Sequence, residues 1–142
     1  MTARLSEHRY RRRVQFAEVD AARIAHFSHF FRYMEEAEHA MWREAGLSIA
    51  ARDDGFGYVR VGASFEYHAP LHFEDECDVH LRIVKITRAS MAYACAVTRG
   101  DERIATGAMT IVCTTRGADG RRVSAPIPAD VRDRFDIAED RA

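Results

Sequence analysis

Only one stretch of this chain carries a long helical hydrophobic period, and four strand-like stretches follow it in succession. Phe30, Met34, Ala37, Met41 and Ala45 recur at spacings of four and three, while Arg32, Glu36, Arg43 and Glu44 fall mostly elsewhere, which is the stripe of an amphipathic helix. Ser28 suits an N-cap, and Gly46 followed by Leu47 suits the residue just past the end, so the spacing predicts a helix over His29–Ala45. Phe30, Phe31, Tyr33 and Trp42 occupy several faces of it, which predicts deeper burial than a surface helix has.

Around that helix the period is two. Upstream, Tyr10, Val14 and Phe16 alternate with Arg9, Arg11, Arg13 and Gln15, predicting a first strand that runs up to Asp20. Downstream, Val59, Val61, Ala63, Phe65 and Tyr67 form one alternating run that stops at Pro70, and Cys77, Val79, Leu81 and Ile83 form the next. Two more strands are predicted near Ser90–Arg99 and Arg103–Thr115, joined as a hairpin at Arg99-Gly100-Asp101-Glu102. The tail holds Pro126, Pro128 and a charged Ala129–Phe135 stretch that reads as one short helix. The predicted class is α+β in one domain, 1–142, with an antiparallel sheet covering a single long helix. One helix cannot cover both faces and both edges of a sheet, so self-association is expected.

Composition removes several classes of function. With 21 basic against 22 acidic side chains and a net charge of -1, affinity through phosphate neutralisation, and hence nucleic-acid binding, is not expected. The longest apolar run, Met91–Val97, is far short of the ~18 residues of a membrane span. The polar N-terminal residues do not read as a secretory signal. Cys77, Cys95 and Cys113 lack any C-x-x-C spacing and are too few for a paired framework, so a reducing, cytoplasmic setting is expected.

Chemistry concentrates between Phe16 and Glu35. An acidic residue, Asp20, is followed by a short loop and then by a helix N-terminus, a layout that pairs a carboxylate with backbone N–H donors aimed at a developing oxyanion. Taken alone, Asp20 suits either such a catalyst or a turn opener bonded to its own loop. Glu35 suits a helix ion pair or dimer contact, with a catalytic base as the second option. His26 and His29, even with His39 added, lack a Cys or a second cluster, so no metal site is expected.

This stretch resembles the motif of the 4-hydroxybenzoyl-CoA thioesterase family of hotdog-fold acyl-CoA thioesterases, in which an Asp closes the first strand and an aromatic-rich helix carries a Glu. Phe65-Glu66-Tyr67-His68-Ala69-Pro70-Leu71-His72-Phe73-Glu74-Asp75 is similar to the family's second-strand signature, Val84–Ser90 to its third-strand exit, and Pro126–Arg132 to its ending. The resemblance covers about residues 10–135. It implies a hotdog domain, an antiparallel sheet wrapped around one central helix, that hydrolyses the thioester of an acyl- or aroyl-CoA as a homodimer or homotetramer without a cofactor. Carried onto this chain, it implies that Asp20 is the catalytic carboxylate, as nucleophile or as base on water, and that the Phe27 backbone N–H is the oxyanion donor. Arg88 and Ser90 then meet the CoA phosphates, with Glu35, His26 and His29 as secondary candidates. Family members often carry Gly three residues after the Asp, His or Tyr seven after it, and Asn or Ser where His29 stands. This chain has Arg23 and Phe27 at the first two places, with His26 one position early. These departures keep a second class open, a non-catalytic acyl-CoA-binding or regulatory hotdog protein.

Overall fold

The helical stripe forms α1, His29–Glu44, in a computed structural model whose described residues are 3–139. Phe30, Tyr33, Met34, Ala37, Met41 and Trp42 are all buried along it. Past its end, Gly46 adopts φ +80° and donates to the Arg43 carbonyl at 2.9 Å, while Leu47 N–H reaches the Trp42 carbonyl at 2.9 Å. This pair of bonds satisfies the last carbonyls as the Gly46-Leu47 sequence predicts. The start differs from expectation. Ser28 is already helical, at φ -67° and ψ -24°, and its hydroxyl lies 2.8 Å from His26 Nδ1, so it caps no helix N–H.

Six strands wrap this helix: β1 (Glu7–Arg13), β2 (Gly57–Tyr67), β3 (Glu76–Ile86), β4 (Ser90–Arg99), β5 (Glu102–Arg116) and β6 (Arg122–Ser124). All pairs are antiparallel, in the order β1-β3-β4-β5-β2, with β6 also on β5. Cys77, Val79, Leu81 and Ile83 of β3 and Met91, Tyr93, Cys95 and Val97 of β4 are buried, so the period of two reads directly onto the helix-facing side. The β4–β5 hairpin closes at Gly100, with Arg99 opposite Glu102. In the tail, α2 (Ala129–Arg132) stops three residues before the expected end, although Phe135 is fully buried in the core. The exposed triplet of β6 has no apolar alternation to announce it.

The first strand ends early. β1 stops at Arg13, and Phe16–Glu18 forms a 3-10 turn, so Asp20 lies beyond the sheet and does not close a strand. The reason is Glu18, whose buried carboxylate accepts the Gln15 N–H at 2.8 Å, the Tyr33 hydroxyl at 2.9 Å and the Arg12 guanidinium. A buried carboxylate is tolerable only with such partners, and gathering them bends the chain out of its strand. Arg12 also reaches Glu36 at 2.8 Å, while its neighbours Arg11 and Arg13 face solvent and pair with Glu76 on β3.

The two edges of the sheet are unlike. β1 is armed with arginines, whereas β2 presents eleven mostly exposed residues, with Val61 at 61% exposure, and no strand on its outer side among the described residues. On its inner side β2 packs unusually close to β5. A Cβ on Gly107 would lie 2.7 Å from both Phe65 Cε1 and the Ser64 carbonyl oxygen, and Phe65 in turn meets Phe30 and Phe31 edge to face. Gly107→Ala is therefore expected to cost about 1–3 kcal/mol in chemical denaturation. An unchanged midpoint would mean that β2 yields freely.

Candidate active site

Asp20 opens a tight turn. Its carbonyl accepts the Arg23 N–H at 2.9 Å, its own N–H reaches the Ile24 carbonyl at 2.9 Å, and its Oδ1 takes the Ala22 N–H at 2.8 Å. Arg23 closes the turn at φ +67°, in the left-handed region. A glycine would sit there without strain; an arginine bears a cost of about 1 kcal/mol. Asp20 thus makes the turn bond that the simpler reading assigned to it, but with one oxygen only. Oδ2 accepts no hydrogen bond among the described residues.

The turn is pinned to the segment after β2, through a bridge between Ile24 and His72 and a 2.7 Å bond from Ala25 N–H to the Leu71 carbonyl. Between these segments lies a cavity of about 440 Å³ in which Asp20 is the one charged wall, the rest including Ile24, Phe27, Phe30, Tyr67, Pro70 and Leu71. The structure therefore brings Asp20 and Phe27 to one cavity. The Phe27 N–H has no acceptor among the described residues, and it lies two residues before the positive end of α1. A carboxyl group and an unengaged backbone donor at the rim of an apolar hole can together receive an electrophilic carbonyl.

The other candidates lie elsewhere. His26 bonds Ser28 and lays its ring 4.4 Å from that of Phe27, while His29 stands 6.4 Å from His26 with its Nδ1 buried and unpaired. No group of three His, Cys, Asp or Glu able to hold a metal occurs among the described residues. Glu35 faces a second cavity, of about 360 Å³, and pairs with Arg60 of β2 at 3.1 Å. Arg88 lies in the turn between β3 and β4 and Ser90 opens β4, its hydroxyl bonding Thr87 at 2.5 Å. Ser90 is level with Val112 and Val59, at the opposite end of β2 from Tyr67, so roughly 25 Å of strand separates this pair from Asp20 within one protomer. The cysteines are free and buried, and burial pushes the thiol of Cys77 up to about 11 and that of Cys95 up to about 12, which leaves no ready thiolate.

One titratable residue escaped sequence reasoning. Glu38, at 0% exposure, sits in the apolar stripe of α1, paired with Arg60 through Oε1 and beside the Tyr93 hydroxyl, while its Oε2 is buried without a hydrogen bond. Burial, the largest influence, pushes its carboxyl up to about 7 against the pull of Arg60. The signal was present in the sequence, because position 38 lies four residues from both Met34 and Trp42.

Comparison with known proteins now bears on this geometry. The family described as the thioesterase-like superfamily matches residues 14–135. A protein of Aquifex aeolicus, named provisionally as an esterase, is 38% identical over 118 residues, which make up 82% of this chain and 90% of that one. Among solved structures, a 1,4-dihydroxy-2-naphthoyl-CoA thioesterase from Synechocystis superposes with a TM-score of 0.84 at 22% identity, covering 91% of this chain and 95% of its own. A gentisyl-coenzyme A thioesterase superposes with a TM-score of 0.77 at 27% identity, covering 87% of this chain and 98% of its own.

Proposed function

This chain belongs to the thioesterase-like superfamily and has the hotdog fold, and from that premise we propose that it is an acyl-CoA thioesterase with its catalytic centre at Asp20. The observation that carries this reading is the placing of a carboxylate with one uncommitted oxygen and of an unengaged N–H, that of Phe27, on one apolar cavity. A thioester carbonyl is already electrophilic, so little more machinery is required. Asp20 either attacks that carbonyl or removes a proton from an attacking water. The oxyanion that forms is stabilised by the Phe27 N–H and the N-terminal end of α1, and its collapse expels the CoA thiolate. Water is consumed, and a free acid and CoA are released. The aromatic walls of the cavity and the aroyl-CoA names of the two structural relatives favour an acyl or aroyl body without charge.

The working form is a homodimer or a tetramer built from dimers. Antiparallel pairing through the bare edge of β2 would lay the Gly57 end of one copy beside the Tyr67 end of the other. Arg88 and Ser90 of the partner subunit would then approach the mouth of the Asp20 cavity, where a guanidinium suits CoA phosphates. A cytoplasmic setting fits the three free buried thiols. No described helix is long and apolar enough to cross a membrane.

Thiol release measured over acetyl-, butyryl-, decanoyl- and benzoyl-CoA tests the activity. Hydrolysis of at least one is expected; CoA binding with flat thiol release across the panel would instead favour an acyl-CoA-binding protein. Arg88→Ala is expected to raise KM several-fold with kcat little changed, the pattern of a lost binding contact. An unaltered KM would remove Arg88 from the CoA site.

A further inference from the structure

We propose that Tyr67 is a positioning residue that anchors the Phe27 carbonyl and, through it, the backbone that presents the Phe27 N–H to the oxyanion, an inference that rests on the reading of Asp20 and Phe27 given above. An oxyanion donor is effective only if its direction is set before the charge develops, since reorganisation during the reaction cancels the gain. Phe27 precedes α1 in a turn, the residue is 60% exposed, and Ser28 supplies no cap beside it. Three bonds bracket the free N–H. On the upstream side, His26 N–H donates to the Glu18 carbonyl at 2.8 Å, and the His26 carbonyl, which shares a peptide plane with the Phe27 N–H, accepts the His29 N–H at 3.0 Å. On the downstream side, the Phe27 carbonyl accepts the Tyr67 hydroxyl at 2.8 Å, and a longer 3.4 Å bond from Phe30 N–H adds little.

The upstream bonds join backbone to backbone and are beyond the reach of side-chain substitution. The downstream bond is made by one phenol at the end of β2, forty residues along the chain from its acceptor. The Tyr67 ring also meets Phe27 and Phe30 edge to face, at 6.4 and 5.2 Å between centroids, so ring and hydroxyl make separable contributions. The ring forms cavity wall; the hydroxyl anchors the Phe27 carbonyl, one peptide unit on from the N–H, and so limits rotation of the backbone at Phe27.

Tyr67→Phe separates them, because it keeps the ring and removes only the hydroxyl from a partly exposed position. With the fastest substrate of the four-thioester panel, kcat is expected to fall about tenfold, less than the hundredfold or more that follows loss of a direct donor, while KM stays within about twofold and the thermal midpoint is unchanged. The Phe27 amide resonance should shift or broaden in the same variant without substrate, a readout that does not depend on turnover. Unchanged kcat with an unmoved Phe27 resonance would overturn the proposal. So would a rise in KM alone, which would make Tyr67 only a wall. Measuring Asp20→Asn in parallel keeps the two failures apart. Full turnover in Asp20→Asn removes the underlying reading, whereas loss in Asp20→Asn with none in Tyr67→Phe removes the role of Tyr67 alone.

Discussion

Asp20→Asn is expected to lower turnover at least about a hundredfold with KM little altered, because the charge that attacks or activates water is lost while the shape of the residue remains. Asparagine retains an Oδ1 that can still accept the Ala22 N–H, so the turn that places the residue should survive. Asp20→Ala removes both the charge and the turn bond, and it should therefore lose stability as well as activity. Thermal midpoints beside the kinetics tell the two effects apart. Near-normal turnover in folded Asp20→Asn would reduce Asp20 to a turn residue and leave Glu35 as the next carboxylate to test. The chemical role can be read from one turnover in heavy-oxygen water with enzyme in excess. Label found in Asp20 would establish an acyl-aspartyl anhydride opened at the aspartyl carbonyl, and direct water attack would place label only in the released acid.

Glu38→Gln should make the protein more stable at pH 8 and change little at pH 5. The carboxyl is held up at about 7 in the folded chain against 4.5 for an unperturbed glutamate, with burial the first cause. For a group raised by folding, the stabilisation is complete below about pH 4.5 and is lost as the pH climbs to about 7, since the unfolded chain ionises first. The gap amounts to on the order of 3 kcal/mol. Facing Glu38 are Arg60 from β2, Tyr93 from β4, and Glu35 and His39 from its own helix, of which Arg60 opposes the shift and Glu35 adds to it. Asp75, whose carboxyl is held low against burial by the His72 N–H and then Arg99, and Glu76, held low by Arg13 and Arg11, weaken the protein in acid but are common to both variants, so they cancel in the difference. Denaturant titrations of the two proteins between pH 5 and 8 give that difference directly. If it is flat, or if the wild type is the more stable at pH 8, the pairing with Arg60 outweighs burial.

How much of this was open to sequence reasoning depends on how local the cause was. The extent of α1, the Gly46 ending and the alternation in β3 and β4 follow from periods of 3.6 and 2, whereas the apolar alternation expected to face the core in β2 leaves Val59, Val61 and Tyr67 exposed. The same locality made Asp20 legible as a carboxylate just ahead of a helix N-terminus, and the family resemblance then pointed to Phe27, seven positions on. Other features depended on groups brought together from distant parts of the chain. The strand expected to reach Asp20 stops at Arg13 because Glu18 finds Arg12 and Tyr33, and nothing in the alternation of that stretch records a partner on a helix still to come. Ser28 had the composition of a cap, yet its hydroxyl went to His26.

The chain's own pattern of apolar residues therefore determined the class of fold, one helix enclosed by an antiparallel sheet, and the position of a carboxylate just ahead of that helix. Tertiary structure alone decided which polar groups that enclosure would bury together and which it would keep apart. Glu38 and Arg60 form an ion pair, Tyr67 reaches the Phe27 carbonyl, and Arg88 lies at the far end of the sheet from Asp20. The physical reason is that periodicity states which face of an element turns inward, whereas a hydrogen bond or an ion pair requires two atoms within about 3 Å, a condition set by how whole elements pack.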